Sequence, residues 1–198
     1  MIKGAKYWDN ASKTYYIQTN NPTESLLKTF YRRVVKSWLE TCGPTAACSC
    51  LGALGYDLEI STPGSYRPQH EEVLSDYLND PKTLEEREKV REGVSHIPGG
   101  RIPQFYPLAV MRVFGAKGEF QWLHNFDKIA GYLSQGKTVQ LCLRNPGHYI
   151  AAVAYDDTNE ELIYNDPWPG RTGKGFNLRM KRSEYDKNVT NYIIVYEK

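Results

Sequence analysis

The sequence has no apolar run near the ~20 residues a membrane-spanning helix needs. Its longest, Tyr149 to Tyr155, is only the length of a strand. Mean hydropathy is −0.59, so insertion into a membrane is excluded. Charge of one sign is also missing: 25 Lys and Arg stand against 23 Asp and Glu, a formal +2, which leaves no basic excess to announce nucleic acid as a partner. No apolar stretch of signal-peptide length follows Met1-Ile2-Lys3-Gly4-Ala5-Lys6, so the chain is expected to be made in the cytoplasm. Cysteine is sparse and unevenly spread. Three of the four (Cys42, Cys48 and Cys50) crowd together and Cys142 lies far downstream, which is neither a disulfide framework nor the paired Cys-x-x-Cys of a zinc site. No repeat, low-complexity tract or Pro/Gly/Ser linker divides the chain, so residues 1–198 are expected to form a single domain.

Aromatic residues are plentiful at 13%. Tyr15, Tyr16 and Ile17 read as a short strand. The helix-start chemistry of Asn20 to Glu24 is followed by Leu27, Phe30, Tyr31, Val34 and Trp38 at helical spacing, predicting an amphipathic helix over 24–40. Thr45 to Leu54 is small and apolar throughout, as a buried, closely packed helix would be, with Cys42 at its N-terminus. Gln69 to Leu78 and Thr83 to Arg91 read as short charged helices, 95–103 as loop, and Pro107 to Phe114 and Asn125 to Gln135 as further helices. From there the pattern turns to strands at 139–143, 149–155, 161–164 and 192–196, with a hairpin turn at Asp156-Asp157-Thr158-Asn159. Helices first and an antiparallel sheet afterwards predict an α+β fold.

Two motifs compete for a functional reading. Gly131 to Thr138 matches the phosphate-loop pattern G-x-x-x-x-G-K-T, but that loop needs a strand before it and a helix after it. Here a helix precedes and a β-branched strand follows, so the glycine reads as a helix stop and nucleotide binding is rejected. The second constellation joins Cys42 at a helix start, His148 at the mouth of a strand and Asp166 at the end of the next strand. Pairing of those strands through the Asp156–Asn159 turn would return His148 and Asp166 to one sheet end. There the carboxylate could orient an imidazole that takes the thiol proton. On residue types alone, a His after a Gly and an Asn-Asp-Pro are equally ordinary loop and turn residues.

Thr41-Cys42-Gly43-Pro44-Thr45-Ala46-Ala47, Leu133 to Val139, Gly147-His148-Tyr149 running to Tyr155-Asp156, and Tyr164-Asn165-Asp166-Pro167 together resemble the C39-like cysteine peptidases of the papain-like superfamily. The resemblance covers about residues 15 to 170 in the family's order. It implies a papain-like fold with Cys42 as nucleophile, His148 as base and Asp166 as its orienting partner. It also matches Gln18, in Ile17-Gln18-Thr19-Asn20-Asn21, to the glutamine that helps line the oxyanion hole, although Asn20 stands for the family's Asp and the 24–40 helix intervenes. Ala154 replaces the glycine common before Tyr-Asp. The implied chemistry is hydrolysis of peptide or amide bonds without a cofactor. Within that family a phage-type lysin acting on peptidoglycan peptides in the cell wall suits a slightly basic, signal-less, aromatic-rich chain. A leader-peptide or other protein-processing peptidase and a catalytically idle binding module are the alternatives. Trp122 and Trp168 could line a groove or simply pack. A structural Ca²⁺ at Asp156-Asp157-Thr158-Asn159-Glu160 is the metal to be weighed, against a solvated turn. Oligomeric state is left open.

Overall fold

The computed structural model describes residues 1–18, 41–58, 70–78, 103–145 and 147–198. The expected helices over 24–40 and 83–91 and most of the 95–103 loop lie outside them. In chain order the elements are β1 (Ile2–Gly4), α1 (Ala11–Thr14), α2 (Cys42–Leu54), α3 (His70–Leu78), a 3₁₀ turn (Pro103–Phe105), α4 (Tyr106–Phe114), β2 (Lys117–Trp122), α5 (Phe126–Ser134), β3 (Thr138–Leu143), β4 (His148–Asp156), β5 (Glu161–Asn165), α6 (Pro169–Thr172), β6 (Leu178–Lys181), α7 (Arg182–Asn188) and β7 (Val189–Glu197). The fold is α+β. Its antiparallel sheet runs β2-β7-β3-β4-β5-β6, and β1 pairs with β4 beyond the end of β3.

The central strand β4 explains its own apolar composition, because both of its faces are covered. Tyr149, Ala151 and Val153 face a core shared with α2 and α4, through Ala46, Ala47, Leu51, Ala109 and Val110. Ile150 and Ala152 face the opposite core, built on Phe126, Ile129 and Leu133 of α5 and on Tyr185 of α7. From Gly43 to Leu54 every residue of α2 is buried, so no amphipathic stripe appears and only small side chains let it lie this close to its neighbours. At Gly52 an added Cβ would sit 1.7 Å from the backbone oxygen of Lys13. The helix ends at Gly55, φ +80°, whose N–H returns to Gly52 O while Tyr56 N–H reaches Leu51 O, a left-handed cap that glycine adopts without strain.

Several local expectations change. Tyr15 to Ile17 forms no strand: Tyr16 N–H donates to Ser49 Oγ at 3.3 Å and Tyr15 packs against Phe176, so the segment runs across α2 and the C-terminal loop. Strands β1, β2 and β6 and helices α1 and α7 lack the apolar runs that mark the others; β2, for example, is Lys-Gly-Glu-Phe-Gln-Trp at the sheet edge. The sheet therefore begins before the helices rather than after them. Gly131 to Thr138 is the end of α5, a turn at Gly136 (φ +79°) and the start of β3. That order is the reverse of a phosphate loop.

The 156–160 turn is held by protein groups. Asp156 accepts from Thr158 N (3.2 Å), Asn159 Nδ2 (2.8 Å) and the Arg179 guanidinium (2.8 Å). The Arg179 hydrogen bond, first among these, holds the Asp156 carboxyl down at about 2. Arg179 also pairs with Glu161 at 3.0 Å. Among the described residues no group of three or more His, Cys, Asp or Glu is arranged to hold a metal, and no helix is long and apolar enough to cross a membrane.

Gly52→Ala is expected to destabilise the fold, because the clash is with backbone rather than with a flexible side chain. An overpacking cost of about 1–3 kcal/mol should appear as a Tm several degrees lower, read by thermal unfolding.

Candidate active site

Cys42 is the first residue of α2 and is half-buried. Its neighbours determine how the helix starts. Thr41 O accepts from both Thr45 N–H (3.0 Å) and Thr45 Oγ1 (2.8 Å). Pro44 lies in the first turn, where its missing N–H costs nothing. A Cβ at Gly43 would lie 2.0 Å from the Tyr106 hydroxyl and 3.3 Å from the Tyr149 ring, so the helix start reaches the sheet only because residue 43 is glycine.

Across from it, the β4–β5 hairpin does what the sequence pattern predicts. Pairing of Asp156 with Glu161 and of Ala151 with Asn165 returns the chain to the sheet end where β4 begins, with one register shift between Ala152 and Ala154. His148 opens β4, and Asp166 follows β5. His148 Nε2 lies 2.6 Å from Asp166 Oδ1, both side chains buried. The same Oδ1 accepts from Trp168 N–H at 2.8 Å, the Asp166 N–H donates to Gly175 O at 2.7 Å, and the Trp168 ring stands edge-on to the imidazole, centroids 6.4 Å apart. With Nε2–H donating to Asp166, Nδ1 is the ring nitrogen left to exchange a proton with Cys42. Burial alone would lower the imidazole's affinity for a proton. Hydrogen bonds and charges from Asp166 and Cys42 outweigh burial and push His148 up to about 9, so the ring is protonated at neutral pH.

Gln18 is fully buried. Its backbone N–H donates to Pro167 O at 2.9 Å, which sets it beside the turn carrying Asp166. Two further bonds lace this corner together: Asn165 Nδ2 donates to Thr14 O at 2.8 Å, and Asn177 N–H donates to Asn165 Oδ1 at 3.1 Å. The structure thus brings Cys42, His148 and Asp166 to one end of the sheet, with Gln18 on the Asp166 side. Burial pushes the thiols of Cys48, Cys50 and Cys142 up, which makes them poor nucleophiles. Trp168 is part of the site through its backbone and ring. Trp122, two-thirds exposed, packs edge-on against Phe120 and Tyr192 at 5.2 and 6.1 Å. The bond made by Asn165 was not legible beforehand, since an Asn before Asp-Pro reads as turn chemistry.

The family described as Peptidase_C39 like family matches residues 12–194. The chain belongs to that family. Solved structures similar to this C39-like chain include the peptidase domain of Streptococcus ComA, a bifunctional ABC transporter involved in quorum sensing (14% identity, 81% of this chain and 93% of that one, TM-score 0.47). Others are a C39-like peptidase structure from Bacillus anthracis (13%, 46% and 56%, TM-score 0.36) and the N-terminal C39-like domain of a toxin secretion ATP-binding protein from Vibrio parahaemolyticus (12%, 62% and 96%, TM-score 0.36). No curated protein matches the sequence. Membership of the C39-like family points to a cysteine peptidase, and the α+β architecture with its antiparallel sheet fits the papain-like fold.

The Asp166 contact has a readable consequence. In Asp166→Asn the C39-like chain loses the carboxylate that holds the proton on His148, and the imidazole midpoint should fall from about 9 toward the ordinary value near ~6.5, followed by NMR of the ring protons. Because the folded value is raised, the stability His148 contributes is fully present below that ordinary value. It is lost as pH rises through about 9. The variant should lack this part of the decline in Tm.

Proposed function

We propose that the protein is a cysteine peptidase or amidase in which Cys42 is the nucleophile, His148 the acid–base group, Asp166 the residue that orients and charges the imidazole, and Gln18 an oxyanion donor. The observation that carries this reading is the buried 2.6 Å His148–Asp166 contact, on an imidazole that also hydrogen-bonds Cys42 at the start of a buried helix. A thiolate beside an imidazolium attacks the carbonyl carbon of the scissile bond, and the carbonyl electrons move onto oxygen. That oxyanion is met by backbone N–H groups at the start of α2 and by the Gln18 side-chain amide. As the intermediate collapses, His148 gives its proton to the departing amine, leaving a thioester on Cys42. The now neutral imidazole takes a proton from water, whose oxygen adds to the thioester carbon and displaces the Cys42 thiolate. The acid product leaves and the thiolate–imidazolium pair is restored.

For substrate we favour the peptides of peptidoglycan, making the protein a phage-type lysin. The exposed Trp122 ring, standing edge-on against the half-buried Phe120 and Tyr192, supports a polymeric substrate that spreads beyond the reacting bond. Digestion of purified peptidoglycan, with mass spectrometry of the fragments, tests the bond and the nucleophile together. New amino termini or freed stem peptides should appear with wild type, and Cys42→Ala should lose at least about a thousandfold of that rate while keeping its Tm. No release, with Cys42 rapidly alkylated near neutral pH, would assign the peptidase another protein substrate. An inert Cys42 would make the domain a binding module.

Gln18→Ala should lower kcat by about a hundredfold or more with little change in KM, the signature of a lost oxyanion donor. An unchanged kcat would remove Gln18 from the machinery.

A further inference from the structure

Gln140 lies on β3, a central strand of the sheet, and is fully buried. It pairs across with Ala151 on β4 and Ile194 on β7, and both of these belong to the core beneath α2. A side chain with a donor and an acceptor in such a place must satisfy both, and it does. The Tyr196 hydroxyl donates to Gln140 Oε1 at 2.6 Å, and Gln140 Nε2 donates to Gly43 O at 3.1 Å. Burial pushes the Tyr196 hydroxyl far up, so it stays a protonated donor. The Gly43 carbonyl can only accept, so the NH₂ must face it and the amide oxygen is left to take the Tyr196 hydrogen. Two residues earlier on the same face of β3, Thr138 Oγ1 donates to Cys50 O at 3.2 Å. The strand thus holds α2 by two carbonyls about two turns apart, and the one held by Gln140 belongs to the residue directly after Cys42.

We infer that Gln140, oriented by Tyr196, is a positioning residue that sets where the α2 N-terminus stands over the sheet and so holds Cys42 in register with His148. This rests on the reading of Cys42 as nucleophile. Close packing at Gly43 and Gly52 sets how near α2 lies to its neighbours. A hydrogen bond to a first-turn carbonyl is directional, and misplacement of a reacting group by about 1 Å costs up to about a hundredfold in rate.

The experiment is alkylation of Cys42 by iodoacetamide, mapped to the residue by mass spectrometry across the acid-to-neutral range, on wild type, Gln140→Met, Thr138→Val and Tyr196→Phe. Gln140→Met keeps the volume and deletes both bonds. It should alkylate at least about tenfold more slowly at neutral pH, with its pH profile displaced toward that of an ordinary thiol. Thr138→Val deletes the anchor remote from Cys42 and should keep the wild-type profile, so a general loosening of α2 is distinguished from a local displacement. A folded Gln140→Met with the wild-type rate and profile overturns the inference, as does a Thr138→Val that shifts the profile as far. Should Gln140→Met not fold, Tyr196→Phe, which removes only the orienting hydroxyl, must shift the profile in the same direction; a wild-type profile there overturns it too. A slow, ordinary Cys42 in wild type overturns the nucleophile reading itself, and this inference with it. A reactive wild type with an unaffected Gln140→Met sinks only the positioning role.

Discussion

The closeness of α2 to the sheet is the constraint on which the rest of the structure depends. A helix buried along almost its whole length can approach a sheet and a neighbouring helix only if its side chains are small, and Gly43, Ala46, Ala47, Cys50 and Gly52 meet that demand. The approach buries an apolar face of β4 and leaves the first residue of the helix, Cys42, at the sheet end where β4 starts with His148. Relaxing it at Gly43 would push the helix start off Tyr106 and Tyr149 and carry the thiol away from the imidazole. Packing and chemistry are therefore set by the same contact. For that reason the polar groups inside it, Gln140 and Thr138 with their carbonyl partners, matter more than their number suggests.

The electrostatics of the site follow from its burial. An imidazolium in a dry corner is unfavourable on its own, and the Asp166 carboxylate offsets that penalty only because it is itself fixed by the Trp168 and Gly175 backbone. The corner is laced from several directions: Asn165 to Thr14, Asn177 to Asn165, and Gln18 to Pro167. In the proposed reaction, a pair held this way need not reorganise when charge moves, which is where preorganised sites gain most. Charges elsewhere are rim features by comparison. Glu197 between Lys117 and Lys137, and Asp127 with Arg182, tie strands and helices at the surface, where ion pairs contribute little.

Much of this was legible beforehand where a pattern is local. The apolar runs of β3, β4, β5 and β7, the hairpin turn at 156–159, the small-residue helix beginning at Cys42 and the helix stop at Gly136 all carry their signals within a few residues. The hairpin was enough to place His148 and Asp166 at one sheet end. β1, β2 and β6 were not legible: they are short or polar, and their pairing comes from neighbours supplied by the tertiary fold. Tyr15 to Ile17 misled for the converse reason, since its aromatic side chains pack against α2 and Phe176 rather than into a ladder.

Sequence alone determined the residue types that the proposed chemistry calls on and the order in which they come, because a nucleophile, a base and an orienting carboxylate each need particular atoms. It also determined that the helix behind Cys42 must be buried, since Gly43 to Leu54 carries no charge and only two small hydroxyls, Thr45 and Ser49. Only the tertiary structure decided that the helix start meets the sheet where His148 stands. The same is true of the bond between the Asp166 oxygen and the His148 imidazole, and of a glutamine three strand positions before Leu143 that holds the carbonyl after Cys42. Those are contacts between segments far apart in the chain, set by distances of a few ångströms that no local pattern encodes.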